Sequence, residues 1–398
     1  MIATSNNPAS GRAEPMHGPH VLFSNDLTGE NLLFAGPDRL LVASHPQDLH
    51  GVLVEAEAAL GSGKWVAGYF SYEAGFLLDD KLRTYLPGDR RVPLACLGVF
   101  SGPLAPWHTA RLLQSSPGPA GISDVRPDWS FDDYRRRFDR LRAHLKAGDC
   151  YQGNLTFPIR ARHSGDALSL FNRLRDRQPV AYGALVALEG PTILSRSPEL
   201  FFRVSRDGII ESLPMKGTAP RGASAREDER VKAALAADPK NRSENVMIVD
   251  LLRNDMSHIC EPGSVEVPRL FHVDTYATLH QMISHVRGRL SAGTGLRQIL
   301  TSLFPCGSIT GAPKIRAMQI LSELEQAPRD AYCGAIGWAA PGGAMEFNVA
   351  IRTITLHDGG EAIFNVGGGV VFDSTAEAEY DECLLKARFA TLPEAESA

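Results

Sequence analysis

Two strand-like runs near the C-terminal end, YCGAIGWAAPGGAMEFNVAIRTITL and EAIFNVGGGVV, are broken or bounded by the turn clusters Pro341-Gly342-Gly343 and Asp358-Gly359-Gly360. Turns that short can join only antiparallel neighbours, because a parallel pair needs a crossover of a dozen residues or more. The same grammar holds upstream. The segments GNLTFPIRA, YGALVALEG, TILSRSPELFFRV and GIIESLPM read as strands, and Arg206-Asp207-Gly208 joins the last two as a hairpin. Helical segments are inserted between groups of strands. The pattern predicts an α+β fold with antiparallel sheets rather than a doubly wound parallel one.

Four regions follow along the chain. Residues 1–20 are predicted to be a disordered tail without an apolar leader core. Residues 21–114 are strand-rich and include GKWVAGYFSYEAGF. Residues 115–128, rich in Pro, Ser and Gly, are expected to be a linker. Residues 129–392 are continuous and dense in motifs. They begin at a helix with Ser130 as N-cap, Asp133 three residues on, Tyr134, Phe138, Leu141 and Leu145 at helical spacing, and Gly148 as its stop. The formal net charge of -5 over 398 residues argues against nucleic acid or an anionic membrane as a partner. No run is long and apolar enough to span a membrane. The six cysteines are scattered without a C-x-x-C pair, which points to reduced thiols rather than disulfides or a zinc site. The expected compartment is the cytoplasm.

Four further helical segments carry polar residues of interest. NRSENVMIVDLLRND, from Asn241 to Asp255, is apolar nearly all round and should be buried, with Glu244 in its first turn. An acid favoured by the helix dipole and a metal ligand at a cleft rim account for Glu244 equally well. A second helix starts at Ser374, with a Ser374–Glu377 capping box and Glu379, Glu382 and Lys386 stacked on one face. The three glycines of VGGGVV precede it, and adjacent glycines in a strand mark close approach by a ligand or another backbone. In FPCGSITGAPKIRAMQILSELE, Phe304 to Glu325, a Gly- and Ser/Thr-rich loop feeds a helix with Pro313 near its first position, so free N–H groups can face an anion. The segment from Ser224 to Ala237 has a capping box and a charged face, and is expected to be a surface helix without chemistry.

The run PMKGTAPRG, Pro214 to Gly222, sets Lys216 among turn residues at a strand end. Its backbone is pinned and its amine can be aimed into a cleft. Beside apolar or cationic groups such an amine sheds its proton more easily and becomes a nucleophile.

The runs GDCYQGNLT, SRSPELFF, PMKGTAPRG, SENVMIVDLLRND, FPCGSITGAPKIRAM, YCGAIGW, FNVAIRT and VGGGVVFDSTAEAEYDECLLKA, in this order, resemble the chorismate-utilising enzymes. The match covers Asp149 to Lys386, and GYFSYEAG near Gly68 extends it. The resemblance implies two packed antiparallel sheets with helices outside and the site between them. It implies binding of chorismate with one Mg2+ ion, held by Glu244 and Glu382, with Glu379 acting through water. An acid common three residues before the first ligand is Asn241 here. Arg352 and Tyr332 match residues that hold the enolpyruvyl carboxylate, and Lys386 with Gly367, Gly368 and Gly369 lines the same place. Gly217, Thr218 and Ser308 are assigned to the substrate lining. Glu199 matches a general acid for the departing 4-hydroxyl. Gln152 stands where relatives that add water carry a lysine. His280 matches a histidine that contacts the ring hydroxyl.

In the family a lysine at the place of Lys216 marks the branch that aminates chorismate at C4, whereas anthranilate- and isochorismate-forming relatives usually carry alanine. The resemblance therefore implies conversion of chorismate and ammonia to 4-amino-4-deoxychorismate, toward p-aminobenzoate and folate. No cysteine has nucleophile-elbow surroundings, so a separate glutamine amidotransferase subunit is the expected source of ammonia. The rival readings are the large component of anthranilate synthase and a catalytically silent, chorismate-binding regulatory homologue.

Overall fold

A computed structural model of the chain describes residues 18–114, 118–276 and 279–392. Among these, the strands form two sheets. The first has nine strands and runs Gly311–Ala312, Gln152–Ser164, Glu361–Val370, Thr353–His357, Thr192–Ser197, Tyr182–Ala187, His20–Ser24 and Asn31–Ala35, with Gly121–Pro127 beside the far half of Gln152–Ser164. The second has ten and runs Met215–Pro220, Leu279–Arg289, Ile209–Ser212, Leu200–Val204, Met345–Val349, Ala335–Ala339, Trp65–Phe70, Ala95–Phe100 and Arg39–Ala43. Glu266–Thr275 pairs with Leu279–Arg289. Adjacent strands run antiparallel, as the short turns require; Arg203 opposite Glu211 and Thr355 opposite Ile363 are examples.

Most central strands are buried on both faces, and the pleat explains how. In Trp65–Phe70, Val66 and Phe70 point into a core shared with helices, while Ala67 and Tyr69 point toward the other sheet. Ile193 and Leu194 divide in the same way. The layer between the sheets holds Val21, Phe34, Tyr69, Phe100, Val186, Ile193 and Ile336. Helices Asp48–Gly61, Pro239–Ser257 and Leu296–Leu303 cover the second sheet. Helices Phe131–Ala147, Ala167–Arg177, Lys314–Glu325 and Ala376–Ala387 cover the first. The fold is the α+β arrangement expected from the turns.

Some boundaries differ from the sequence reading. The tail assigned to residues 1–20 lies outside the described residues up to position 17, and His20 already begins a strand. Of the linker, residues 115–117 lie outside the description, while Gly121–Pro127 is a strand paired with Gln152–Ser164. The strand-rich part contains the helix Asp48–Gly61, whose N-cap Gln47 makes no side-chain cap and so leaves no start signal. The Ser130–Asp133 capping box and the left-handed Gly148 stop are both present. The six cysteines are free and buried. Among the described residues no helix is long and apolar enough to cross a membrane.

Candidate active site

At two of the places where the chain passes from one sheet to the other, a candidate residue stands at the crossing. Glu199 lies between Thr192–Ser197 of the first sheet and Leu200–Val204 of the second. Arg352 lies between Met345–Val349 of the second and Thr353–His357 of the first. The two crossovers are tied together. Val349 N donates to Glu199 O at 3.1 Å, Arg196 N to Arg352 O at 3.0 Å, and Ser197 Oγ to Val349 O at 2.6 Å. Arg352 takes a left-handed backbone with φ 51°, a conformation that an arginine holds only where its surroundings impose it. Burial lowers its pKa from the ordinary arginine value, against the pull of Glu199.

Glu199 is 4% exposed and its Oε1 has no hydrogen-bond partner. Burial raises its pKa above the ordinary glutamate value. A hydrogen bond from Ser308 and the charges of Lys216 and Arg352 oppose that rise without cancelling it. The carboxyl is thus disposed to hold a proton in the presence of two cations. Ser308 sits in the turn Gly307–Ile309 and also meets Cys306 Sγ at 3.3 Å. Its hydroxyl acts on Glu199 by holding down that carboxyl's pKa, a use outside the expected anion cradle. Pro313 is the N-cap of the following helix, not its first residue.

Lys216 is placed by an irregularity in its strand. Met215 pairs with Ile283 and Thr218 with Gln281, so the register shifts between them, and Gly217 takes φ 77°. A side chain at Gly217 would come within 2.7 Å of Asn241, so the lysine strand lies directly on the start of helix Pro239–Ser257. Asn241 is thus a packing neighbour of Gly217. Gln281 Nε2 donates to Gly217 O at 2.9 Å and Thr218 Oγ1 to Gln281 Oε1 at 2.8 Å, which fixes the bulge. The Lys216 ammonium acts on the carboxylates of Glu199 and Glu382, lowering the pKa of each.

The glycine strand Glu361–Val370 separates two sets of groups. A Cβ on Gly369 would stand 2.3 Å from Gln152 Nε2 and 3.5 Å from Lys216 Nζ. A Cβ on Gly368, pointing the opposite way, would meet Glu379 Oε2 at 2.8 Å. Gly367 lies against Thr156. Gln152 is 1% exposed with an unpartnered Oε1, an acceptor site left open beside Lys216. Tyr332 is buried, and burial holds its phenol well above the ordinary tyrosine value.

Three carboxylates stand on two helices. Glu244 falls in the second turn of its helix, because the helix begins at Pro239 with Asp238 as N-cap. Glu379 and Glu382 lie on Ala376–Ala387, whose N-cap is Thr375. The expected Ser374–Glu377 box does not form. Ser374 Oγ instead donates to Glu379 Oε1 at 2.7 Å and accepts from Val371 N at 3.1 Å. Burial raises the pKa of Glu379, only partly offset by Ser374. Burial also pushes Glu382 upward, but Lys386, at 2.8 Å, with Lys216 and Lys240, brings it below the ordinary value. Lys386 Nζ also donates to Gly367 O at 2.9 Å. Lys240 Nζ is 4.0 Å from Glu244 Oε1 and acts on Glu379 and Glu382 too. A single ammonium thus serves all three acids, an arrangement suited in kind to a cation. As the side chains are placed, among the described residues no three His, Cys, Asp or Glu groups stand close enough to hold one metal ion.

His280 is not aimed at this centre. Its Nε2 meets Asp228 Oδ1 at 2.8 Å and its Nδ1 meets Thr275 Oγ1 at 3.0 Å, so both ring nitrogens are engaged. Asp228 lies on helix Ala225–Ala237, read from sequence as free of any task. It also binds Arg221 at 2.7 Å and Gly222 N at 2.8 Å, and so anchors the turn after Lys216. A cleft of about 1260 Å³ lies elsewhere, lined by residues such as Leu53, Leu82, Asp255, Lys314 and Ile315, with none of the expected site residues among them. Lys314 in its wall is already paired with Asp255 at 2.6 Å. The convergence of Glu199, Arg352, Lys216 and Gln152 marks the chemical centre better than the size of that cleft does.

The chorismate binding enzyme family matches residues 18–391, and the chain belongs to that family. Among curated relatives, aminodeoxychorismate synthase component 1 from Klebsiella aerogenes is 42% identical over 335 residues, covering 79% of this chain and 74% of that protein. Aminodeoxychorismate synthase from Streptomyces pristinaespiralis is 46% identical over 265 residues, covering 67% of this chain and only 37% of that protein. The chain therefore spans little more than a third of some of the relatives it matches. Anthranilate synthase component I from Streptococcus pneumoniae superposes with a TM-score of 0.72 at 23% identity, covering 97% of this chain and 94% of the other, which establishes the shared fold.

Proposed function

We propose that this chain is the synthase component that converts chorismate and ammonia to 4-amino-4-deoxychorismate. The observation that carries the reading is Lys216, placed by its bulge near Gly369, with Gln152 beside it and the buried acid Glu199 in electrostatic reach. The relatives named aminodeoxychorismate synthase support it.

In this reading Arg352 orients a substrate carboxylate, and the open acceptor of Gln152 takes a donor from the ring. The Lys216 amine attacks ring C2. The ring double bonds shift, the C4–O bond breaks, and the hydroxyl leaves as water with a proton from Glu199. Ammonia then forms the C4–N bond as the C2–N bond to Lys216 breaks, its surplus proton passes to the Glu199 carboxylate, and both the amine and the acid are regenerated. Gln152 cannot act as the base for water addition, which disfavours an isochorismate product. Glu244 and Glu382, with Glu379 acting through water, would hold Mg2+ once their side chains draw together, and the ion when bound would neutralise a carboxylate of the ring. A separate glutaminase would supply the ammonia, consistent with relatives named component 1.

Mass spectrometry of the product from chorismate and ammonium tests the reading, together with Lys216→Ala. The expected product is 4-amino-4-deoxychorismate, and the variant should lose several orders of magnitude in turnover while still binding chorismate by calorimetry. Anthranilate as product, or near-normal turnover by the variant, would refute it.

A further inference from the structure

We propose that Arg329, paired with Glu325, is a positioning residue for this reaction, holding the Ser308 loop and the start of strand Gln152–Ser164 in one fixed relation. The inference rests on the reaction proposed above but concerns two residues that the reaction does not use. Glu325 closes the segment that follows the Ser308 loop, and Arg329 lies four residues beyond it.

Strand Gln152–Ser164 pairs along one edge with the glycine strand. Its other edge is covered by Gly311–Ala312 at the start and by Gly121–Pro127 over the far half. Between these two, side chains stand in for a strand. Thr156 N donates to Glu325 Oε1 at 2.9 Å, and Asn154 O accepts from Arg329 Nη2 at 2.8 Å. Buried backbone groups on a strand edge require partners of this kind. Arg329 Nη1 donates to Ile309 O at 2.9 Å, and Ile309 follows Ser308, which lowers the pKa of Glu199. One guanidinium therefore spans both walls of the site. Gln152 is two residues from Asn154 on one side, and Ser308 is next to Ile309 on the other.

The guanidinium itself is fixed. It makes a two-pronged pair with Glu325, Nε to Oε2 at 2.9 Å and Nη2 to Oε1 at 2.7 Å. It lies 4.3 Å from the centre of the Tyr72 ring, and Arg329 N donates to Glu73 Oε1 at 2.7 Å. Arg329 is 2% exposed. Only a planar fork can bond a carboxylate and two carbonyls at once, so a lysine would keep the charge and lose the geometry. A buried ion pair is weak support for stability alone. Its contacts with the backbone of both walls point instead to geometry, where a displacement of about 1 Å can cost roughly 10²-fold in rate.

The test is a double-mutant cycle in the full chain with Arg329→Lys and Ser308→Ala, following kcat and KM for chorismate at saturating ammonium alongside thermal melting. The expected result is a fall in kcat of roughly 10²-fold for Arg329→Lys with KM changed only a few-fold. The combined variant should be little worse than the worse single one, because both act on Glu199 through the same loop. Effects that multiply, or a kcat that falls only with the folded fraction, would overturn the proposal. Should Arg329→Lys fail to fold, Glu325→Gln keeps an acceptor for Thr156 N while loosening the fork. It should show the same fall in kcat and the same non-additivity, and normal kcat there would also overturn the proposal. The identity of the wild-type product scores the proposed function separately, since the cycle can be read on whatever chorismate turnover the wild type shows.

Discussion

Gly369→Ala isolates the face of the glycine strand on which the chemistry is proposed to occur. The added methyl would stand 2.3 Å from Gln152 Nε2 and 3.5 Å from Lys216 Nζ. The second distance is ordinary contact, so the strain falls on Gln152, which must withdraw by about 1 Å to clear the methyl, a shift large enough to cost roughly 10²-fold in rate. Gly369 is not among the positive-φ residues, so the substitution carries no backbone penalty of its own. The displaced atom is the end of a flexible side chain, and the loss of stability should stay below about 1.5 kcal/mol. We expect kcat/KM for chorismate to fall about 10²-fold, some 2.7 kcal/mol in the barrier, with the melting profile nearly unchanged. Adding Gln152→Ala removes the clash, so the second cost should be much less than additive. Steady-state kinetics and calorimetric melting read both quantities. A fully active Gly369→Ala protein would refute the assignment of this face to the substrate.

Three further outcomes follow from the same geometry. Glu244→Gln and Glu382→Gln should each cripple turnover, and excess chelator should abolish it, because a hard dication needs anionic oxygens; full activity under any of these conditions contradicts a magnesium site there. Burial pushes the Glu73 carboxyl up to about 8, so the native state binds a proton there that the unfolded chain has released above its ordinary value near 4.5. Wild-type stability is therefore lost as pH rises through that window, and the advantage of Glu73→Gln should grow between about pH 4.5 and 8 in melting experiments; an advantage that shrinks instead shows the sign to be wrong. The isolated chain should work with ammonium salts, better as pH rises toward the ammonia pKa, and use glutamine only once a glutaminase is added. Glutamine-dependent turnover by the pure chain would contradict the need for a partner.

Much of this molecule was legible in one dimension. Antiparallel sheets follow from turns such as Pro341-Gly342-Gly343 and Asp358-Gly359-Gly360, because a short connection leaves the chain no other geometry. The start and stop of helix Phe131–Ala147 follow from Ser130, Asp133 and Gly148, whose side chains and backbone act within a few residues of themselves. The glycine strand was marked by its run of three, but the turn expected around Lys216 is instead a bulge within strand Met215–Pro220. Local rules fail where a side chain has a distant alternative. Ser374 could cap its helix, but Glu379 takes its hydroxyl. His280 could face the site, but Asp228 from a neighbouring helix and Thr275 hold both its nitrogens. No spacing in the sequence places Glu199 and Arg352 at two neighbouring crossovers between the sheets, 153 positions apart by number and joined through Val349 and Arg196. Nor does any local pattern show that Arg329 completes the edge of a strand that begins at Gln152. Identity and order of residues decide what the chain can do close to itself; which buried polar groups meet is settled only when both sheets close, because each must find a partner away from water.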